Sequence, residues 1–294
     1  MKLAYSLVTF ACIAFAATLS AAETKKIVFI AGPPSHGPGD HEHRAGCLLL
    51  KSCLDQVPGV TAEVYSNGWP ENAGAAFAGA ATIVVYSDGG GGHPLLQGDR
   101  LKVVGDLMKQ GVGLALIHYA VEATKERGEQ EFLDWIGGCF ETDWSVNPTF
   151  KADFQTLPTH VAVRGVKPFQ MTDEWYFHLR FREGAPGVRP ILSAVAPEST
   201  MSRPDGPHEG NPAVRESVKR GEPQTVAWVY RRPDGGRGFG FTGGHFHKNW
   251  GNDDFRKVVL NAILWTAKAN VPANGVEAAV SEEDLKKNLD AKGR

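Results

Sequence analysis

The stretch Lys26-Ile27-Val28-Phe29-Ile30-Ala31-Gly32-Pro33-Pro34 decides the fold. Its apolar, β-branched run stops abruptly at a glycine and two prolines, which reads as a buried strand delivered into a loop. The same alternation continues downstream. Arg44 to Val57 carries Cys47, Leu50, Cys53, Leu54 and Val57 at three- and four-residue spacing, predicting a helix. Thr61–Tyr65, Thr82–Ser87 and Gly113–His118 read as further strands, and Asp99–Gln110 as a helix with Leu101, Val104, Leu107 and Met108 inward. Short apolar strands separated by amphipathic helices predict an α/β fold, a three-layer α/β/α sandwich on a mainly parallel sheet. The region from 141 to 223 is less regular, with a strand at Val188–Val195 and a Pro/Gly/Asn-rich loop from Pro197 to Pro212. Thr225–Tyr230 and Gly238–Thr242 read as late strands joined at Pro233-Asp234-Gly235-Gly236. A closing helix starts near Asn252 or Asp253 and buries Phe255, Val258, Val259, Ala262, Ile263 and Trp265.

The 294 residues carry a formal charge of −2, which fits one large globular domain and leaves no electrostatic footprint for nucleic acid or a membrane surface. Lys2, the apolar run Leu7–Ala17 and the small residues Ser20-Ala21-Ala22 form a secretory signal pattern. The apolar run is too short for a membrane span, and Thr9-Phe10-Ala11 before Cys12 is a poor lipobox. The expected organisation is a signal peptide over 1–22, cleaved after Ala22 for export to the periplasm or medium, a domain over 23–268, and a polar tail over 269–294. Within the tail, Ser281–Asp290 reads as a frayed or loosely docked helix. No stable membrane insertion is expected, and a homo-oligomer is left open. Cys47, Cys53 and Cys139 remain after cleavage. Cys47 and Cys53 would lie about 9 Å apart along one helix, too far to bridge, so all three read as small buried apolar groups.

Each trusted strand ends beside a chemically useful side chain. The first leads into Ser35-His36-Gly37-Pro38-Gly39-Asp40-His41-Glu42-His43, the third to Asp88, the fourth to His118 and Tyr119, and the last to Gly243-Gly244-His245-Phe246-His247. In open α/β sheets, ligands occupy the crevice outside the carboxyl ends of the strands. Taken singly, a histidine reads as a structural hydrogen bonder; the set placed at one sheet edge reads as a site. His36, His41, His43 and His245 are the candidate metal ligands. An imidazole and carboxylate shell suits Zn, Mn, Fe or Ni better than calcium. His118, His247 and Glu174 are the candidate catalytic groups, since a carboxyl set beside Trp175 and Tyr176 is suited to proton transfer. Asp88, Tyr119, Trp144, Trp175 and Trp250 are candidate substrate contacts, because flat aromatic faces beside polar groups match a sugar ring. Gly89 to Gly92 lack the Lys-Ser/Thr of a phosphate-binding loop and read as a flexible turn, and no nucleotide cofactor is expected. Arg180 and Arg182, alternating with Phe181, read as a solvated strand face.

The segments KIVFIAGPPSHG, DEWYFHLRF and GFGFTGGHFHKNWGNDDFRKVVLNAILWTA resemble the ThuA-like (trehalose utilisation) family, over about Lys26 to Ala267. The resemblance implies a class I glutamine-amidotransferase-like fold and a role in carbohydrate catabolism, on 3-keto sugars or 3-keto glycosides. The glutaminase reaction itself is excluded. The strand-to-turn position that would hold the nucleophilic cysteine reads Leu116-Ile117-His118-Tyr119, and the later segment reads His245-Phe246-His247-Lys248 without a Pro-Glu pair. An export signal also departs from a cytoplasmic trehalose route. Two functions follow: an exported, metal-assisted enzyme acting on an oxidised sugar as lyase, hydrolase or isomerase, or a non-catalytic carbohydrate-binding protein.

Overall fold

The computed structural model describes residues 24–184 and 187–292. The signal pattern, including Ala22, lies outside the described residues. Strands β1 (Lys25–Ala31), β2 (Val60–Tyr65), β3 (Ala80–Tyr86) and β4 (Gly113–Ile117) alternate with helices α1 (His43–Leu54), α2 (Ala73–Phe77) and α3 (Arg100–Lys109). Then come α4 (Glu129–Trp135), β5 (Gly138–Cys139), β6 (Thr149–Phe154), β7 (Phe169–Glu174), β8 (Arg180–Phe181) and β9 (Val188–Val195). The chain closes with α5 (Pro212–Lys219), β10 (Pro223–Arg231), β11 (Arg237–Phe241), α6 (Asp253–Thr266) and α7 (Glu282–Lys286).

Seven strands form the central sheet in the order β2-β1-β3-β4-β11-β10-β9. β1, β2, β3, β4 and β11 pair in parallel, and β10 pairs antiparallel with both neighbours. Alternate residues of each strand feed opposite faces, as the two-residue period requires. Ile27, Phe29, Val84, Tyr86, Ile117 and Phe241 pack with α1 and α6 on one side. Val28, Ile30, Ile83, Val85, Leu114 and Leu116 pack with α2, α3 and α4 on the other. This is the three-layer α/β/α sandwich that the strand and helix alternation predicts. The β6–β7 hairpin lies against the α1–α6 layer. Asn252 caps α6 by accepting from the Phe255 N–H. No helix among the described residues is long and apolar enough to cross a membrane.

The polar tail is docked, contrary to its loose appearance in sequence. Val271 and Val276 are buried with the core. α7 opens on a capping box between Ser281 and Asp284. Beyond it the backbone N–H of Asp290 donates to Glu42 Oε2 at 2.8 Å, and Lys292 Nζ lies 3.3 Å from Glu42 Oε1. The ammonium also donates to the carbonyls of Gly37 and Asp40, so the chain end clasps the loop after β1. Composition could not show this, because the partner carboxylate stands some 250 positions earlier.

Candidate metal and acid–base centre

Parallel strands end on the same side, so their following loops meet. His41 comes from the loop after β1, Asp88 from the loop after β3, His118 from the turn after β4, Glu174 from the end of β7 and His245 from the loop after β11. His36, His41 and His118 all have positive φ, 59°, 46° and 57°, a backbone state costly for a side chain bearing Cβ. Such strain persists only where surroundings over-determine it, and here it aims the His41 and His118 rings inward. His118 sits at a strand-to-helix turn, at the position read above as the vacant nucleophile site. Gly243 and Gly244 allow the His245 turn: a Cβ on Gly243 would stand 2.6 Å from the Trp175 ring, and Gly244 has φ of 110°. Tyr86 donates its hydroxyl to the Gly244 carbonyl.

His41 Nε2 lies 3.0 Å from His245 Nδ1 and 3.1 Å from His118 Nε2. Glu174 Oε2 lies 3.3 Å from His245 Nδ1 and 3.6 Å from His118 Nε2. The outward nitrogens are committed to acceptors. His41 Nδ1 donates to Asp88 Oδ1 at 2.7 Å, and His118 Nδ1 donates to the Thr242 carbonyl at 2.8 Å. With those protons placed, both Nε2 atoms carry lone pairs in the neutral rings and face each other. Lone pairs so placed are met by a donated proton, from His245 Nδ1 or the Tyr176 hydroxyl, or by a metal ion. The spacing suits an ion, since ligand atoms on a tetrahedral zinc with bonds near 2.1 Å stand about 3.4 Å apart. Carbonyl and carboxylate acceptors behind each ring are the outer partners that metal-binding histidines use.

Burial, with neighbouring His41, holds the His118 pKa well below its ordinary value, so the ring is neutral. Burial lowers His245 too, but Glu174, Asp40 and Asp173 outweigh it and the net shift is upward. Asp88 is opposed by burial, yet His41, His43 and Ser35 hold it down at about 2, a fixed anion behind His41. Asp173 is wholly buried, and burial raises it to about 6 even though it accepts from Gly244, Glu174 and Asn249.

The candidate residues are thus sorted by geometry. His41, His118, Glu174 and His245 meet. His36 stacks on His41 with centroids 3.6 Å apart at the exposed mouth, and together with Asp88 these two form a second potential triad. His43 does not join them: it is buried in the first turn of α1, its Nδ1 donates to the Pro33 carbonyl, and burial lowers it to about 4. His247 also stands apart. Two residues on, its chain has entered a tight turn rather than an extended strand, and it lines a hollow of about 510 Å³ with Pro38, Leu285 and Leu289. Trp175 and Trp250 are fully buried beside Phe241 and Phe255 and offer no face to a sugar. Trp144 is half-buried, and its ring packs on His178 and the Arg180 guanidinium. Arg180 pairs with Glu141 and Arg182 with Asp134, so that strand face is salt-bridged. Tyr119 stands beside His41 with ring centroids 6.3 Å apart.

Several residues of the centre escaped the sequence reading. The Tyr176 hydroxyl lies 3.4 Å from His118 Nε2, and burial raises its pKa well above 10, so it stays a donor. Asn147 Nδ2 donates to Glu174 Oε1 at 3.3 Å, and Arg203 donates to Asn147 Oδ1 at 3.0 Å. Glu122 and His208 pair beside Tyr119. Tyr176 stood inside the quoted DEWYFH segment, and Glu122 four residues beyond His118. Asn147, Arg203 and His208 had no local signal, being scattered through irregular chain.

The model of the ThuA family, described as trehalose utilisation, matches residues 59–266, well over half of the chain. The chain belongs to the ThuA family. Among solved structures, a protein described as ThuA-like from Parabacteroides merdae shares 15% identity, covering 90% of this chain and 99% of that one with a TM-score of 0.59. Another described as ThuA-like, from Bacteroides uniformis, shares 13% identity over 86% of this chain and 95% of that one, also at 0.59. A weaker likeness, with a TM-score of 0.42 at 10% identity over 83% and 99%, is to PurLQS from Thermotoga maritima. No curated protein matches the chain in sequence. The ThuA match spans His118, Glu174 and His245, and membership of this trehalose-utilisation family suggests carbohydrate utilisation.

Proposed function

We propose that the protein is a metal-assisted enzyme acting on 3-keto sugars or 3-keto glycosides. His41, His118 and His245 would hold a divalent transition metal, which when bound would polarise a substrate carbonyl. Glu174 takes the proton from the carbon next to that carbonyl. Its second oxygen is held by Asn147, so the carboxylate keeps its orientation through the transfer. Tyr176 stays protonated and donates a hydrogen bond to substrate oxygen. Asp88 holds the His41 tautomer. The observation that carries this reading is the convergence of the His41 and His118 Nε2 atoms at 3.1 Å, with the Nδ1 protons of both rings committed to other acceptors. A protein that only binds sugar is less favoured, because two of its three candidate tryptophan platforms are sealed in the core.

The test uses protein purified without a histidine tag. Elemental analysis should find about one divalent metal per chain. Turnover of a 3-keto glycoside should fall with a chelator and in His118→Ala, while His247→Ala, which faces elsewhere, should keep it. Metal-free protein with no turnover, or His118→Ala equal to wild type, rejects the proposal.

A further inference from the structure

Outside the histidine cluster, the chain builds a second acid–base station. Glu122 is 2% exposed and directs both oxygens at His208 Nε2, at 2.9 and 3.0 Å, while Thr142 donates to the same carboxylate at 3.0 Å. This carboxylate fixes the proton on Nε2. Among the described residues, no hydrogen bond reaches His208 Nδ1, and the side chain is 30% exposed, so that nitrogen is presented to solvent. The backbone is built to hold it there. His208 has φ of 64°, its N–H donates to Thr142 at 2.8 Å, and Gly206 and Gly210 bridge on either side. Its carbonyl accepts from Arg203 and from the Asn147 N–H. Asn147 therefore ties the His208 loop to Glu174 through its own side chain. Tyr119 neighbours both stations, with ring centroids 6.5 Å from His208 and 6.3 Å from His41.

We propose that His208, oriented by Glu122, is the acid that protonates the departing oxygen when a 3-keto glycoside undergoes elimination at this centre. The inference rests on the function proposed above. Glu174 takes the C2 proton, the C–H electrons form the C1–C2 double bond, and the C1–O bond breaks. The His208 imidazolium gives its Nδ1 proton to the departing oxygen and is left neutral with its Nε2 proton on Glu122, and the products are an alcohol and an unsaturated ketone. Water then returns a proton to His208 and accepts one from Glu174. The titratable and charged groups around His208 are Glu122, Arg203 and Tyr119, with the Glu174 charge farther off; the Glu122 hydrogen bond raises its pKa, while burial and Arg203 oppose. Glu122 is a positioning residue, acting through the imidazole.

The experiment compares methyl and 4-nitrophenyl 3-ketoglucosides on the metal-loaded protein. His208→Gln should lower kcat/KM for the methyl glycoside about a hundredfold or more, the usual worth of a positioned acid, because an alkoxide leaves poorly without a proton. The nitrophenyl glycoside, whose anion departs unaided, should lose less than about threefold. Glu122→Gln should move the alkaline limb of the kcat/KM pH profile to lower pH, which a purely structural role would not do. Equal losses for both glycosides, no loss for the methyl glycoside, or an unmoved limb in Glu122→Gln overturns the inference and leaves the proposed function standing. Failure of wild type to turn over either compound overturns both.

Discussion

Asp173 accepts from the backbone N–H groups of Glu174, Gly244 and His245 and from the side chain of Asn249. One buried carboxylate thus sets the distance between the end of β7, which carries Glu174, and the turn that carries His245. Asp173→Asn keeps the shape but points an amide N–H at N–H donors. We expect it to cost about 1–3 kcal/mol in urea unfolding. On the proposed function, metal affinity should also fall roughly tenfold to a hundredfold, the usual consequence of disturbing an outer partner. Unchanged affinity with lowered stability would confine Asp173 to the fold. At this scale the sequence spoke in part. Asp173 lies in the acidic and aromatic segment Asp173-Glu174-Trp175-Tyr176, beside Glu174. Alternating residues at a strand end point to opposite sides, and nothing local says which side is the core.

The elements were largely legible, since β1, β3, β4, β10, β11 and α6 fall within about two residues of their expected limits. The C-terminal segment was not. Its hold on the loop after β1 depends on Lys292 and Glu42, whose side chains are 4% and 1% exposed. Burial opposes the Glu42 charge, but N–H donors from Asp290 and Gly39 and the Lys292 ammonium lower its pKa. A depressed carboxylate pKa stabilises the fold above the unfolded value and loses that contribution as pH falls through the folded one. Lys292→Met should therefore cost about 1–3 kcal/mol near neutral pH, moderated because the chain end can peel away and let Glu42 hydrate. The difference from wild type should shrink as pH falls below the ordinary glutamate value and Glu42 gains its proton. Equal stability of the two proteins at pH 7 would show that the clasp is idle. If it holds, hydrogen exchange at residues 36–43 should quicken in the variant.

For the molecule as a whole, burial of neutral imidazole predicts the acid response. His93 is fully buried, donates to the Ala120 carbonyl, accepts from the Leu95 N–H, and is lowered by burial to about 3. The unfolded chain binds a proton there from about pH 6.5 downward, and the folded chain does not until about pH 3. Stability should thus decline across that window, with His93 supplying up to about 1.4 kcal/mol per pH unit. His93→Gln should flatten the slope by that amount in urea titrations between pH 6 and 4. A slope identical to wild type would remove His93 from the account.

By itself the sequence determined the alternation of strands and helices, and hence a parallel sheet whose loops carry His41, Asp88, His118 and His245 toward one edge. Hydrophobic periodicity is local, and chain direction in a parallel sheet fixes which ends share a side. Only the tertiary structure decided which rings meet. His43 and His247, two residues from His41 and His245, stay out of the cluster because a helix and a tight turn abolish the strand's two-residue period. His208, Asn147 and Lys292 arrive from irregular chain, where contacts between residues far apart in sequence leave no periodic trace.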